Sequence, residues 1–464
     1  MRWKVTRVLE RSHGPQWLTV MTFGAAIVVG TLLLALPVSQ ASGGGGNWLT
    51  SLFLATSATC VTGLSPVDIS TYLSMSGQLV LLLLIQLGGL GIMTLGTFLF
   101  EVMGRQLSMS NEQVLMTSLG FGAAGGRVRS LLWRTVWFTL FWEAVGTLVL
   151  ATRLYHVHGY NAPRALYHGL FHSVSAFCNA GFSLYPDSLV RFADDPVILL
   201  AISALIIIGG LGFIVHNNLV SVAPWRHNRL LRGRLVLHTR IVLVGSGLLL
   251  AAGTVGFLLA EWNTEFASLP LRDRWIGAFF QSVTCRTAGF NAMDTGSMQG
   301  ISKAISMLLM FVGGAPGSTS GGIKVSTAVV LVATVVAMIR NREEAEFARR
   351  TIPARAVRES IVITVLSLAF VATISFLLNI TEASNPDLVP PGGLSASLLF
   401  ETVSAFGTVG LSTGATPMLS AQGLLCVIVC MFVGRLGPLT LALTMGGAGR
   451  GPSRRYPEEN VVVG

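Results

Sequence analysis

The chain has 464 residues, 52% of them hydrophobic and only 11% charged, with a net charge of +10. A soluble domain carries about a quarter charged residues, so this composition excludes an ordinary soluble protein and points to an all-α membrane protein with several spans. The positive charge falls in short clusters between long apolar segments rather than along one stripe, which argues against nucleic acid as a partner.

In chain order, residues 1–16 are basic and lead into the first apolar stretch without a small-residue cleavage site, so a retained first helix is expected there. A span needs roughly 20 mostly apolar residues. Eight stretches qualify: 17–38, 76–100, 131–152, 197–220, 236–260, 301–339, 357–379 and 419–445. Four more segments, 48–64, 165–182, 274–290 and 394–411, are semi-apolar, shorter, and end in Gly beside Thr or Asn. They are too short to cross and too apolar for loops, which is the profile of re-entrant segments. With residues 1–16, 104–134, 224–240 and 340–358 and the C-terminus on one side, that side holds 22 of the 31 lysines and arginines and the opposite side six. By the positive-inside rule both termini are cytoplasmic and the re-entrant segments enter from the outer face.

The four re-entrant segments end alike, in TCVTGLS, FCNAGFS, CRTAGFN and FGTVGLS. Each is followed 24 to 28 residues later by a second glycine cluster: QLGGLGIM, IIGGLGFI, FVGGAPGS and FVGRLGPL. Two motifs in the same order, four times over, define an internal repeat. The units are 17–104, 129–222, 236–340 and 356–446, followed by a cytoplasmic tail, 447–464. Each reads helix, pore loop, helix and begins on the cytoplasmic side. The repeats are therefore parallel and surround a central pore, unlike the inverted repeats of many transporters.

Aligned on the glycine, the loops carry Val61, Thr62 and Gly63; Asn179, Ala180 and Gly181; Thr287, Ala288 and Gly289; and Thr408, Val409 and Gly410. Selectivity filters for potassium replace the hydration shell of the ion with backbone carbonyls from four such loops. Glycine allows the backbone geometry this needs, and the C-terminal end of the preceding helix favours a cation. No ring of acids accompanies the loops, so a short carbonyl filter is expected. Cys60, Cys178 and Cys285 lie beside the loops and, with Cys426 and Cys430, show neither metal-ligand nor disulfide spacing. They are expected to pack, because potassium prefers oxygen ligands. No nucleophile–base pair or metal cluster points to an enzyme.

On these motifs, CRTAGFN, TVGLSTG at 408–414 and GGIK before a Thr-rich helix, the chain resembles the membrane subunit of the bacterial Ktr and Trk potassium uptake systems, in the superfamily that includes the plant HKT transporters. The likeness runs from the first helix to GRLGPLT at 434–440. One span before the first loop and a short tail resemble the eight-span KtrB type more than TrkH. The resemblance implies potassium uptake across the bacterial inner membrane by a homodimer, and a separate cytosolic ring of nucleotide-binding RCK-type (KtrA-like) subunits on the basic inner face. That face also suits anionic lipids. In plant relatives a serine at the first filter position accompanies sodium transport, so Gly63 implies potassium preference. The alternatives are a Na+- or H+-coupled symporter, with sodium as activating or coupling ion, and a sodium-permeable HKT-like transporter.

The stretch GGAPGSTSGGIK, spanning Gly313, Gly314, Ala315, Pro316, Gly317, Ser318, Thr319, Ser320, Gly321, Gly322 and Lys324, interrupts the overlong apolar run 301–339. It is not a phosphate loop: Ile323 separates Gly322 from the lysine, and no strand precedes it. An unbroken helix would be about 58 Å long, against a hydrocarbon core of about 30 Å, so a break is required. Its residues are expected either to form a static kink at Pro316 or, as the resemblance implies, a loop that gates the pore beneath the filter. Arg435, midway along the last span, is expected to pair with a carboxylate or to face the pore and bond loop carbonyls. Lys324 either snorkels or faces the pore. Arg286 is expected to brace the third loop, and Glu143 either to pair with a basic group or to act in a proton relay. Glu401 is expected at the positive opening of the fourth pore helix, with His172 at the matching place in the second. Residues 340–358 read as helix-permissive up to Pro353.

Overall fold

The structure is a computed structural model that describes residues 15–91, 128–222, 235–267, 269–386 and 393–437. The expected cytoplasmic segments 1–14 and 447–464, most of 104–134 and 224–240, and the inner ends of the spans at 76–100 and 419–445 lie outside the described residues.

Fifteen α-helices are described: α1 Pro15–Ala35, α2 Trp48–Thr59, α3 Ile69–Tyr72, α4 Met75–Gly89, α5 Val128–His156, α6 Ala162–Phe177, α7 Pro196–Leu211 and α8 Phe213–Val222 in the first half. The second half holds α9 Leu237–Ala260, α10 Leu271–Thr284, α11 Gly300–Phe311, α12 Val325–Ile339, α13 Ala354–Glu382, α14 Leu394–Gly407 and α15 Ala421–Leu436. Local sequence sets many of their starts. Asn47, Ser74, Asn161, Asp195 and Ser420 each accept a backbone N–H of the following first turn, and Pro163 and Pro196 occupy positions where a missing N–H costs nothing.

Helix length and composition mark three helices able to cross a membrane, in α5, α9 and α13, and a fourth if α7 and α8 are one span bent by 93° at Gly212. The run 301–339 divides into α11 and α12, and α4 and α15 stop near the edges of the described residues, so among those residues length and composition mark at most four of the eight expected crossings. The outer surface is strongly apolar: Trp137, Leu248, Leu308 and Phe376 are each at least 66% exposed, as lipid-facing residues are. Inside, α2, α6 and α14 each bury a phenylalanine ten residues before the loop glycine: Phe53, Phe171 and Phe400. Burying each contributes about 1.5–3 kcal/mol, which anchors the short helices in the interior.

Two carboxylates set the starts of helices distant from them in sequence. Glu261, at the end of α9, accepts the backbone N–H of Gln299 at 3.0 Å and the hydroxyl of Ser302 at the start of α11. Glu382, at the end of α13, accepts the hydroxyl of Ser420, the N-cap of α15, at 2.6 Å.

The expectation of helix through 340–353 is corrected. Beyond α12 the chain forms a two-stranded antiparallel hairpin, β1 Glu346–Phe347 with β2 Arg350–Thr351. Its two turn residues, Ala348 and Arg349, both have positive φ, 51° and 62°, the handedness that matches the twist of paired strands.

Candidate functional site

The four tripeptides share one backbone geometry. The residue two before each glycine is left-handed: Val61 at φ 56°, Asn179 at 60°, Thr287 at 71° and Thr408 at 49°. The glycines follow with φ of 95°, 67°, 76° and 97°. A left-handed non-glycine residue costs about 1–3 kcal/mol, more readily borne at a functional site than elsewhere. Here the cost recurs at four matched places, three of them β-branched. The residues between, Thr62, Ala180, Ala288 and Val409, are fully buried.

The glycines meet one another in a closed ring. A Cβ placed on Gly63 would stand 3.2 Å from the Gly181 Cα; one on Gly181, 3.0 Å from Gly289; one on Gly289, 3.0 Å from Gly410; and one on Gly410, 3.1 Å from Gly63. Each would also overlap the carbonyl oxygen of the residue just before its neighbour: Ala180, Ala288, Val409 and Thr62 in turn. No side chain fits at any of the four positions.

Hydroxyls within the short helices hold the turns. Ser57 donates to the Leu64 carbonyl at 2.7 Å, Ser175 to Phe182 at 2.8 Å and Thr284 to Phe290 at 2.8 Å, the residue after the glycine in each case. Ser57 and Ser404 also accept the N–H of Gly63 and Gly410, each at 3.1 Å. These groups escaped the sequence reading, although a serine six residues before Gly63, Gly181 and Gly410 was there to be seen.

The expected place of Glu401 is corrected. Helix α14 begins at Leu394, because Gly393 takes φ 98° ahead of it, so Glu401 lies in its second half. It does not serve the positive helix end. It accepts Ser412 Oγ at 2.7 Å, Thr413 N at 2.8 Å and Thr416 Oγ1 at 2.6 Å, tying down the chain that leaves Gly410. His172 does the matching work in α6: its Nδ1 donates to the His168 carbonyl at 2.8 Å, leaving Nε2 to accept from Ser183 Oγ at 3.0 Å.

The second glycines let helices approach the ends of the short ones. A Cβ on Gly88, Gly209 or Gly434 would overlap the carbonyl of Thr59, Phe177 or Phe406 respectively, the residue four before the loop glycine each time. Gly313 departs from this pattern and packs on Gly321 and Thr287 instead. Between α11 and α12 the backbone doubles back: Gly313 N bonds Ile323 O at 2.8 Å, and Val325 N bonds Gly314 O at 3.0 Å.

The loop 313–324 is fastened to several elements. Ala315 N donates to Gly210 O at 3.0 Å in α7, and Gly317 O accepts Phe213 N at 3.2 Å. Thr319 reaches Phe177 O at 3.4 Å, and Gly321 lies against Thr408. Gly322, at φ 63°, lies near Gly407. Ser318 donates to Ala315 O at 2.6 Å, and its Oγ lies 3.0 Å from Ser320 Oγ. Pro316 is partly buried and Gly317 exposed. Arg435 donates to Thr319 O in the loop and to Gly88 O in α4, so its partners are carbonyls and not a carboxylate. Lys324 turns inward and donates to Ser320 O at 2.6 Å. Arg286 contacts Ser246 and Gly313.

The expected basic partner of Glu143 is also corrected. Its carboxylate accepts from Gln86 Nε2 at 3.2 Å and lies 3.8 Å from Cys178 Sγ, and no ion pair joins it among the described residues. The amide of Gln86 on α4 and the thiol of Cys178 after α6 are the side chains that meet it. The five cysteines are free thiols, and no group of three or more His, Cys, Asp or Glu with metal-binding geometry occurs among the described residues.

Comparison with known proteins shows the family of the chain. The family model described as "TrkH: Cation transport protein" matches residues 6–447. The chain is 36% identical to the Ktr system potassium uptake protein B of Bacillus subtilis, over 97% of each chain. It is 38% identical to the protein of the same name from Vibrio alginolyticus, over 97% of this chain and 95% of that one. The crystal structure of the potassium transporter TrkH from Vibrio parahaemolyticus shares the fold, with a TM-score of 0.69 at 18% identity, covering 93% of this chain and 84% of that chain. With a family match along almost its whole length, and relatives of this identity and coverage, the chain belongs to the TrkH family of cation transport proteins.

Proposed function

We propose that this protein takes up potassium across the bacterial inner membrane through the ring formed by Gly63, Gly181, Gly289 and Gly410. The observation that carries this reading is the closed ring, in which four matched backbone turns stand glycine to glycine with no side chain between them. Backbone oxygens of residues 61–63, 179–181, 287–289 and 408–410 replace water around a dehydrated K+, and the short helices direct their negative C-terminal ends at it. One tripeptide per repeat makes the filter short. Its four parallel helix–loop–helix units, 17–104, 129–222, 236–340 and 356–446, supply eight crossings, with both termini cytoplasmic. The naming of its relatives as potassium uptake proteins supports the choice of ion.

The loop 313–324 is the gate in this reading. Arg435 holds it closed by bonding Thr319 O from below, and Lys324 ties its far end back on itself. A homodimer and a cytosolic nucleotide-binding RCK-type ring, docked on the basic inner face, complete the system and move the loop.

Rubidium uptake into proteoliposomes, with sodium as competitor, tests the function. Uptake driven and reversed by the potassium gradient alone is expected. Uptake that follows a sodium or proton gradient would instead make the protein a coupled symporter.

A further inference from the structure

The position three before the loop glycine is occupied by Cys60, Cys178, Arg286 and Gly407. Three of the four are small and pack tightly: Cys178 lies against Gly89, and Gly407 against the Met310 carbonyl. The long cationic side chain appears only in the repeat whose following helix is broken by the loop 313–324. Arg286 is also the residue immediately before the left-handed Thr287, so it belongs to the third tripeptide segment by backbone continuity.

Its guanidinium reaches two elements. Nη2 donates to Ser246 Oγ on α9 at 3.1 Å and to Gly313 O, the first carbonyl of the loop, at 3.4 Å; Nη1 donates to Ser246 O at 3.5 Å. No carboxylate pairs with it among the described residues, and its buried Nε has no acceptor. A guanidinium offers five N–H donors. The contacts at 3.4 and 3.5 Å are long, and long hydrogen bonds are weak and readily exchanged.

Beside it is a cavity of about 20 Å³, room for one water molecule. Arg286, Ser246, Gly210 and Gly314 contribute to its wall. Gly210 O accepts Ala315 N, so the cavity adjoins the place where the loop is fastened to α7. Gly314 of the loop thus has space beside it, and Arg286, a donor with unused capacity, lines the same space.

We infer that Arg286 is a positioning residue that couples the loop to the third filter segment, through Gly313 O on one side and its own backbone link to Thr287 on the other. Ser246 on α9 is the fixed point. When the loop shifts into the cavity, the guanidinium keeps Ser246 and exchanges its loop acceptor, so displacement of Gly313 is transmitted to residues 287–289. Selectivity and gating are thereby linked through one side chain. This rests on the reading of 313–324 as a gate.

The test measures basal rubidium uptake and the rubidium-to-sodium ratio together, per amount of folded protein in proteoliposomes, for Arg286→Gln, Arg286→Lys and Ser246→Ala. In Arg286→Gln the ratio is expected to fall and basal uptake to rise, each by about threefold or more, the scale of mutations along a coupling path. Arg286→Lys retains one contact and falls between. Ser246→Ala moves both quantities the same way by less, and it carries the test if Arg286→Gln does not fold. A change in only one quantity, or in neither, overturns the coupling; so does a loss of folded Arg286→Gln with Ser246→Ala unchanged. Removal of residues 315–320, which leaves Gly313 in place, tests the gate separately. If basal uptake stays unchanged there, the gate reading fails; if it rises while Arg286→Gln moves one quantity alone, only the coupling fails.

Discussion

Gly410 closes on Gly63 across 347 residues of chain: a Cβ on Gly410 would stand 3.1 Å from the Gly63 Cα. The first and last repeats touch as closely as sequential ones do, so the ring has no seam. Each glycine leaves its neighbour's backbone no room for a methyl group. Damage at one position therefore propagates to the next around the ring.

Alanine at Gly63, Gly181, Gly289 or Gly410 forces a Cβ onto a neighbouring carbonyl and strains a positive φ. Each substitution is expected to reduce potassium selectivity, and Gly63→Ser to admit more sodium. The permeability ratio of potassium to sodium in proteoliposomes checks this. Unchanged ratios in all four alanine variants would separate selectivity from the ring.

Deleting residues 315–320 removes the loop's contacts with Arg435, Phe177 and Gly210 while sparing the four tripeptides. Basal rubidium uptake is expected to rise. Arg435→Gln cuts the bonds to Thr319 O and Gly88 O and is expected to act in the same direction with less effect. Reduced uptake by well-folded protein in both cases would count against a blocking loop.

Glu401 gathers donors from Ser412, Thr413 and Thr416 in a fully buried site. Glu401→Ala strands those donors, at a cost of about 1–3 kcal/mol for each one left unsatisfied. Glu401→Gln keeps acceptor capacity and is expected to lose less. Melting temperatures in detergent should order wild type above Gln above Ala, and equal values for Gln and Ala would refute a bracing role.

Asp195 caps α7 and meets Arg153 Nε and His158 Nε2, each at 2.8 Å. Burial pushes its carboxyl upward, but Arg153, His158 and the Ile198 N–H outweigh that and hold it below the usual aspartate range. A depressed folded-state value stabilises the fold above the unfolded value, about 3.9. That contribution is lost as pH falls through the lower, folded value. Thermal stability should therefore drop on acidification below about pH 4, and Asp195→Asn should be less stable at neutral pH and lack this component of the acid dependence. A variant with the wild-type pH profile would exclude Asp195 as its source.

The sequence by itself determined what depends on composition and on local pattern. Membrane class followed from the scarcity of charge, the four matched tripeptides from their recurrence, and the break at 313–324 from a run too long for one span. Helix starts at Asn47, Asn161, Asp195 and Ser420 are equally local, because a cap bonds backbone within its own first turn. The tertiary structure alone decided which distant groups meet. That Gly410 abuts Gly63, that Arg435 bonds Thr319 and Gly88, and that Glu143 finds Gln86 are matters of helix packing, which no spacing along the chain encodes. Glu401 shows the same division. Its place in the fourth pore helix was legible, but its position along that helix and its partners, 11 to 15 residues later, depended on where α14 begins and how the chain returns past Gly410. Hydrogen bonds satisfy buried groups with whatever the fold brings within reach, so the residues were visible in the sequence and their partners only in the packed structure.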